Sequence, residues 1–271
     1  MMKKNFAAAV LFSCMVVSVA FSDCIREAEA LMAKDDYKKV VLVLDKCNET
    51  PGAWKMLGKA YHELYQMDQA RKYLQKYLKK SPEDVEAEVL LASSFAYSKL
   101  FGRAIDKYRV LYEKYPDNIE VQKGYARALG WNKDYDAAMS IYKSVLQKDP
   151  GDHESALEIG IILSWKKKFK EAVSQLTSLI DSKPEEEWEI KARLQRAKVL
   201  SWQKYFKKSI DEYESVLALD ASNMEAYLGI GTVLEWQGKY KEARANYQKA
   251  LTADPQSAEI KDRLNQLMWV K

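Results

Sequence analysis

Between Pro51 and Pro82 the chain reads PGAWKMLGKAYHELYQMDQARKYLQKYLKKSP, and its apolar positions recur at helical spacing. Trp54, Leu57, Gly58 and Tyr61 fall at i, i+3, i+4 and i+7, which is one face of a helix. Ala70, Leu74, Tyr77 and Leu78 repeat the pattern for a second helix. Gly58 and Ala70 are small where two helix backbones come close, and larger side chains fill the groove around them. The pattern then returns at a fixed period. Pro82, Pro116, Pro150 and Pro184 are each 34 residues apart, Ala221 follows after 37 and Pro255 after 34 more. Two amphipathic helices in every 34 residues predict a helical solenoid. Asp84, Asn118, Asp152, Asn223 and Ser257 each lie two residues after the Pro or Ala beat, where a side-chain oxygen can cap the next helix.

On these residues the chain resembles the tetratricopeptide repeat family. That family places Trp, Leu, Gly and Tyr at repeat positions 4, 7, 8 and 11, then Ala, an aromatic or Leu, Ala and Pro at 20, 24, 27 and 32. Trp54, Leu57, Gly58, Tyr61, Ala70, Leu74 and Pro82 match, and Tyr77 departs. Later repeats keep the small pair at positions 8 and 20, from Ala92 with Ala104 to Gly231 with Ala243. The resemblance implies an all-α fold: a right-handed α-solenoid of antiparallel helix pairs with a C-terminal capping helix. Its expected parts are an incomplete unit at 23–50, six units at about 51–84, 85–118, 119–152, 153–189, 190–223 and 224–257, and a cap at 258–271.

At the ends, Ala28 and Leu31 are expected to face Val40 and Leu44, and Leu264, Leu267 and Met268 to cover the last repeat. Cys24 would begin the first helix of the terminal hairpin and Cys47 would end the second, so a disulfide could staple it; two small buried thiols are the alternative. Three extra residues precede the fifth unit. There Glu185, Glu186 and Glu187 suit a first helical turn, and Trp188 either packs on the preceding pair or bulges outward.

Residues 1–22 read as a bacterial-type signal peptide: MMKKN, an apolar run from Phe6 to Phe21, and small residues at Ala20 and Ser22 before a cut ahead of Asp23. An uncleaved anchor is the alternative, although the run is short for a membrane span. Export predicts a periplasmic or secreted chain with no membrane span after cleavage. With 43 Lys+Arg against 39 Asp+Glu the net charge is only +4, which does not call for nucleic acid. His62 and His153 are far apart and the glycines are scattered singly, so neither a metal cluster nor a phosphate loop is expected. The reading is of a non-enzyme without cofactor or metal.

That leaves binding. In the resembled fold first helices line a concave groove, and positions 5, 9 and 13 form its stripe, with 2 and 12 alongside. Position 13 reads Glu63, Tyr97, Trp131, Trp165, Trp202 and Trp236, while Lys55, Lys59, Lys123, Arg127 and Lys198 occupy positions 5 or 9. Two readings of the tryptophans stand open: packing that sets superhelical pitch, or a ladder of ligand contacts. The family's clamp for a C-terminal carboxylate is not met, since its positions carry Lys55 and Lys59, then Leu90, then Glu120 and Gly124. Leu163-Ser164-Trp165 and Leu200-Ser201-Trp202 resemble periplasmic repeat segments of outer-membrane and exopolysaccharide-export proteins. The expectation is an exported scaffold that binds a protein or peptide partner in the envelope; the alternative is a module for an extended glycan.

Overall fold

A computed structural model describes residues 23–47 and 49–269; the expected signal peptide at 1–22 lies outside the described residues. The chain divides into two compact units, one ending at Asp134 and the other beginning at Tyr135. The first unit contains α1 (residues 23–32), α2 (Tyr37–Leu44), α3 (Pro51–Glu63), α4 (Met67–Leu78), α5 (Val85–Tyr97), α6 (Phe101–Lys114) and α7 (Ile119–Trp131). The second contains α8 (Tyr135–Lys148), α9 (His153–Trp165), α10 (Phe169–Asp181), α11 (Glu186–Trp202), α12 (Phe206–Leu219), α13 (Met224–Trp236), α14 (Tyr240–Ala253) and α15 (Ala258–Gln266), closed by a 3-10 turn at Leu267–Trp269. No strand occurs among the described residues. Within each unit every helix packs on the next, and first helices also touch first helices, α3 on α5 and α5 on α7, then α9 on α11 and α11 on α13. This is an α-solenoid of helix hairpins.

Local chemistry sets the helix boundaries. The side chains of Asp84, Asn118, Asp152 and Asn223 accept the N–H three residues on, at 3.0, 3.0, 2.7 and 3.0 Å, satisfying amides that a helix start leaves unpaired. Ser257 stands at the same place on α15 but makes no such bond. Each first helix ends in the same way. In the second repeat Leu100 N–H donates to Phe95 O and Lys99 N–H to Ala96 O, the paired bonds of a Schellman turn, with Lys99 at φ 60°. Tyr65, Lys133, Lys167 and Lys204 hold the same left-handed backbone, and in the last repeat Gly238 does so without strain. Position 13 is therefore always the last residue of a first helix, and position 17 opens the second helix after a fixed turn.

Close approach explains the small residues. A Cβ on Gly58 would lie 2.6 Å from Leu74 Cγ, and one on Gly160 2.7 Å from Leu176 Cδ2, so position 8 is roofed by position 24 of its own hairpin. Where position 20 is Ser209 rather than alanine, its buried hydroxyl donates to Ala197 O at 2.8 Å across the pair. The position-24 residues Leu74, Tyr108, Leu176, Tyr213 and Tyr247 are all at most 3% exposed. Gly124 and Gly229, at position 6, let Tyr108 and Tyr213 press on the following first helix.

The residues before the fifth repeat now have a place, and at Met268 an expectation needs revision. α11 starts at Glu186, inside the span assigned to the fourth unit, because the extra residues extend the first helix of the fifth repeat to 17 residues against 13 in α9 or α13. Trp188 sits on that extra turn, half-buried, with Lys191 Nζ 4.5 Å over its ring. At the C-terminus Ile260 and Leu267 are buried, whereas Met268 is 54% exposed, because the chain leaves the helix for the 3-10 turn. At the other end Ala28, Val40 and Leu44 are fully buried with Cys47, and Leu31 packs against them. Cys24 and Cys47 are joined there, Cα atoms 6.7 Å apart.

Candidate partner-binding face

In the first unit the charged stripe is occupied by ties between neighbouring repeats. Lys55 Nζ lies 2.8 Å from carboxylate oxygens of both Asp84 and Glu86, and Lys59 Nζ 3.2 Å from Glu86. Burial works against the Lys55 ammonium, but these two carboxylates outweigh it and raise its pKa to about 12. Asp84 is likewise pushed up by burial, yet bonds from Lys55, the Tyr77 hydroxyl and the Ala87 N–H leave it below the ordinary carboxylate value. Glu86 is lowered chiefly by its bond to Lys55. Lys123, expected to face a partner, is buried, with Nζ 3.5 Å from Glu120; Arg127 is half-buried. Tyr97 is 37% exposed and has the rings of His62, Tyr65 and Trp131 at 5.5, 5.7 and 5.2 Å. Trp131 is half-buried and also touches Phe101 at 6.3 Å.

Beneath Tyr97, His62 Nε2 lies 2.6 Å from Ser93 Oγ and Nδ1 3.4 Å from Glu63, an arrangement the sequence pattern did not single out. Burial lowers the His62 pKa. Ser93 Oγ donates to Leu90 O of its own helix, and the neighbouring amides are spent on helical bonds. The group bridges α3 to α5 and offers no set of free N–H donors for a developing oxyanion.

The second unit presents rings instead of charges. Trp165, Trp202 and Trp236 end α9, α11 and α13 and are 39%, 45% and 51% exposed. Each indole rests on the position-17 aromatic of the preceding repeat: Tyr135, Phe169 and Phe206, at 5.9, 6.2 and 6.5 Å. One side of each ring is thus packed and the other is open. Lys198 pairs with Glu225 across α11 and α13. Between these two helices a cavity of about 450 Å³ is lined by Trp202, Trp236 and Tyr213, with Glu259 of α15 at its edge. Tyr213 was not among the expected site residues. Among the described residues no group of three His, Cys, Asp or Glu side chains could hold a metal ion, and no helix is long and apolar enough to cross a membrane.

A solenoid of helix hairpins with a half-open aromatic face is built for interaction, and the chain belongs to the tetratricopeptide repeat family. Tetratricopeptide repeat matches cover residues 51–94, 132–194 and 225–257, together about half of the chain. No curated protein matches it in sequence. Among solved structures it is similar to a tetratricopeptide repeat protein from Parabacteroides merdae, with 15% identity and a TM-score of 0.74 over 92% of this chain and 99% of that one. It is also similar to the APC/C hetero-tetramer Cut9–Hcn1 (17% identity, TM-score 0.64, 89% of this chain) and to yeast Tom70 (16%, 0.61, 91%). The chain spans 48% and 58% of those two longer chains. At these identities the likeness is one of fold. Tetratricopeptide arrays generally serve as non-catalytic scaffolds for protein partners, and this chain has that architecture.

Proposed function

We propose that the chain is an exported scaffold of the cell envelope that holds an extended segment of a partner protein against the first-helix face of its second unit. One observation carries the reading. The position-24 aromatics Tyr213 and Tyr247, which pack this unit, are 3% and 0% exposed, whereas Trp165, Trp202 and Trp236 keep 39–51% of their surface open at three equivalent places. Indoles whose sole task was to set the spacing of helices would be covered in the same way, and large rings left open in register are the anchors that recognition faces use. The MMKKN start, the apolar run and the Cys24–Cys47 pair support export to an oxidising compartment.

The test is recovery of envelope proteins on the tagged chain and on its Trp165→Ala/Trp202→Ala/Trp236→Ala variant, with fractionation and N-terminal sequencing alongside. A specific protein held by the first and lost from an equally folded second is the expected result, with the mature chain outside the cytoplasm and beginning at Asp23. The same protein retained by the variant refutes the face; a chain that stays in the cytoplasm with its N-terminus intact refutes export. A second reading, a glycan module for polysaccharide export, draws on the same open indoles. Oligosaccharide titration followed by tryptophan fluorescence decides between them.

A further inference from the structure

We infer that the cavity between α11 and α13 takes a cationic, donor-rich side chain, an arginine, from the segment bound on that face. The inference rests on the scaffold reading and names which residue such a segment carries. Tyr213 is only 3% exposed, yet its hydroxyl has no hydrogen-bond partner among the described residues, and its ring end lines the cavity against Gly229. Two of its counterparts bond within the protein. Tyr108 donates to Val89 O at 3.3 Å, and Tyr247 to Glu235 at 2.8 Å. Burial, with the Glu225 charge nearby, holds the Tyr213 phenol well above its ordinary pKa, so it stays protonated.

The rest of the lining is rich in acceptors. Ser201 donates to Lys198 O and Thr232 to Leu228 O, so both hydroxyl protons are already used within their helices. Glu225 is paired with Lys198, while Glu259, exposed in the first turn of α15, has no ion-pair partner. The cavity therefore holds one more carboxylate than ammonium, and its hydroxyl oxygens keep lone pairs to spare, so an occupant with positive charge and N–H groups complements it. A guanidinium supplies five donors and no acceptor, and its flat face attracts indole rings such as Trp202 and Trp236. A volume of about 450 Å³ accommodates one long side chain.

The test uses the full chain with nitrogen-15 in its tryptophans and follows the indole N–H resonances. N-acetylarginine methylamide, its uncharged citrulline analogue and cellobiose are the probes. The expected result is a saturable shift of Trp202 and Trp236 with the arginine probe, and affinity roughly ten-fold weaker for citrulline. Glu259→Gln weakens arginine about five-fold or more, and Tyr213→Phe does so with no loss of thermal stability, because its hydroxyl bonds nothing in the free protein. Equal shifts with citrulline, stronger ones with cellobiose, no shift with arginine, or unchanged affinity in Glu259→Gln each overturn the inference. If the partner protein is still lost with the three indoles while arginine does not bind, the scaffold stands and only the occupant of the cavity is wrong.

Discussion

Replacing Gly231 by alanine tests the packing that holds the hairpins together. Gly231 lies in α13 at position 8, and a Cβ there would come 2.6 Å from Tyr247 Cδ1 and closer still to Cε1. Tyr247 has no exposed surface and is anchored through its hydroxyl to Glu235 at 2.8 Å, so its ring cannot swing aside. Overpacking of this kind costs about 2–3 kcal/mol where neighbours are rigid. Alanine returns about 1 kcal/mol of helix propensity, leaving a net loss of roughly 1–2 kcal/mol. Gly102, in α6, is the internal control, because a Cβ there meets nothing within 4 Å. Gly102→Ala keeps only the propensity gain, up to about 1 kcal/mol. At roughly 2–4 °C per kcal/mol for chains of this size, Tm followed by far-UV circular dichroism falls by about 2–8 °C in Gly231→Ala and rises by up to about 4 °C in Gly102→Ala. If both substitutions stabilise, position 24 does not roof position 8 and the proposed hairpin geometry is wrong.

Three further outcomes follow from the same structure. Lys99, Lys167 and Lys204 hold φ of 60°, 58° and 63°, so changing each to glycine, as at Gly238, stabilises the chain by about 0.5–1 kcal/mol, net of the added chain entropy; a lower Tm contradicts this. Asp84→Asn keeps the helix cap but removes the carboxylate facing Lys55. Since Asp84 is held below its ordinary pKa, its contribution is complete above about pH 4 and is lost as the pH falls through the lowered value. The variant therefore loses about 1 kcal/mol at neutral pH, discounted for partial exposure, and matches the parent near pH 2; a deficit independent of pH refutes the ion pair. Reducing the Cys24–Cys47 link, which spans 23 residues, removes roughly 3 kcal/mol in the chain-entropy model. Hydrogen exchange then quickens in α1 and α2 and is unchanged in the second unit, whereas uniform quickening argues against a local staple.

What the sequence disclosed and what it hid have separate physical causes. Caps were legible because Asp84 and Asn223 bond amides only three residues away, and such bonds depend on little beyond the local turn. Angular position on a helix was legible too, which is why Trp165, Trp202 and Trp236 could be assigned to one stripe. Exposure was not, because it is decided by the neighbour: each indole is half covered by a ring from the preceding repeat, and Lys123, placed on the same stripe, is buried. Met268 misled for the same reason, since apolar spacing does not reveal where a helix stops.

The Tyr213 cavity went unread because its signal couples two positions that a repeat pattern treats separately. Position 24 contributes a tyrosine hydroxyl, and position 9 decides whether that hydroxyl finds a local partner. In the second repeat position 9 is Ser93 and the Tyr108 phenol donates to Val89 O at 3.3 Å, and in the sixth it is Thr232, 3.4 Å from the Tyr247 hydroxyl. In the fifth it is Lys198, which turns away to Glu225. In the second and sixth repeats a hydroxyl at position 9 accompanies a satisfied tyrosine, whereas Lys198 in the fifth leaves Tyr213 with an unused bond beside two open indoles. Because that hydroxyl borders the cavity rather than being sealed in the core, a bound donor can reach it. Introducing Lys198→Ser should let the phenol bond inside the protein, raising Tm while weakening any ligand that needs that hydroxyl; a variant that gains stability with ligand affinity intact would show that Tyr213 takes no part in recognition.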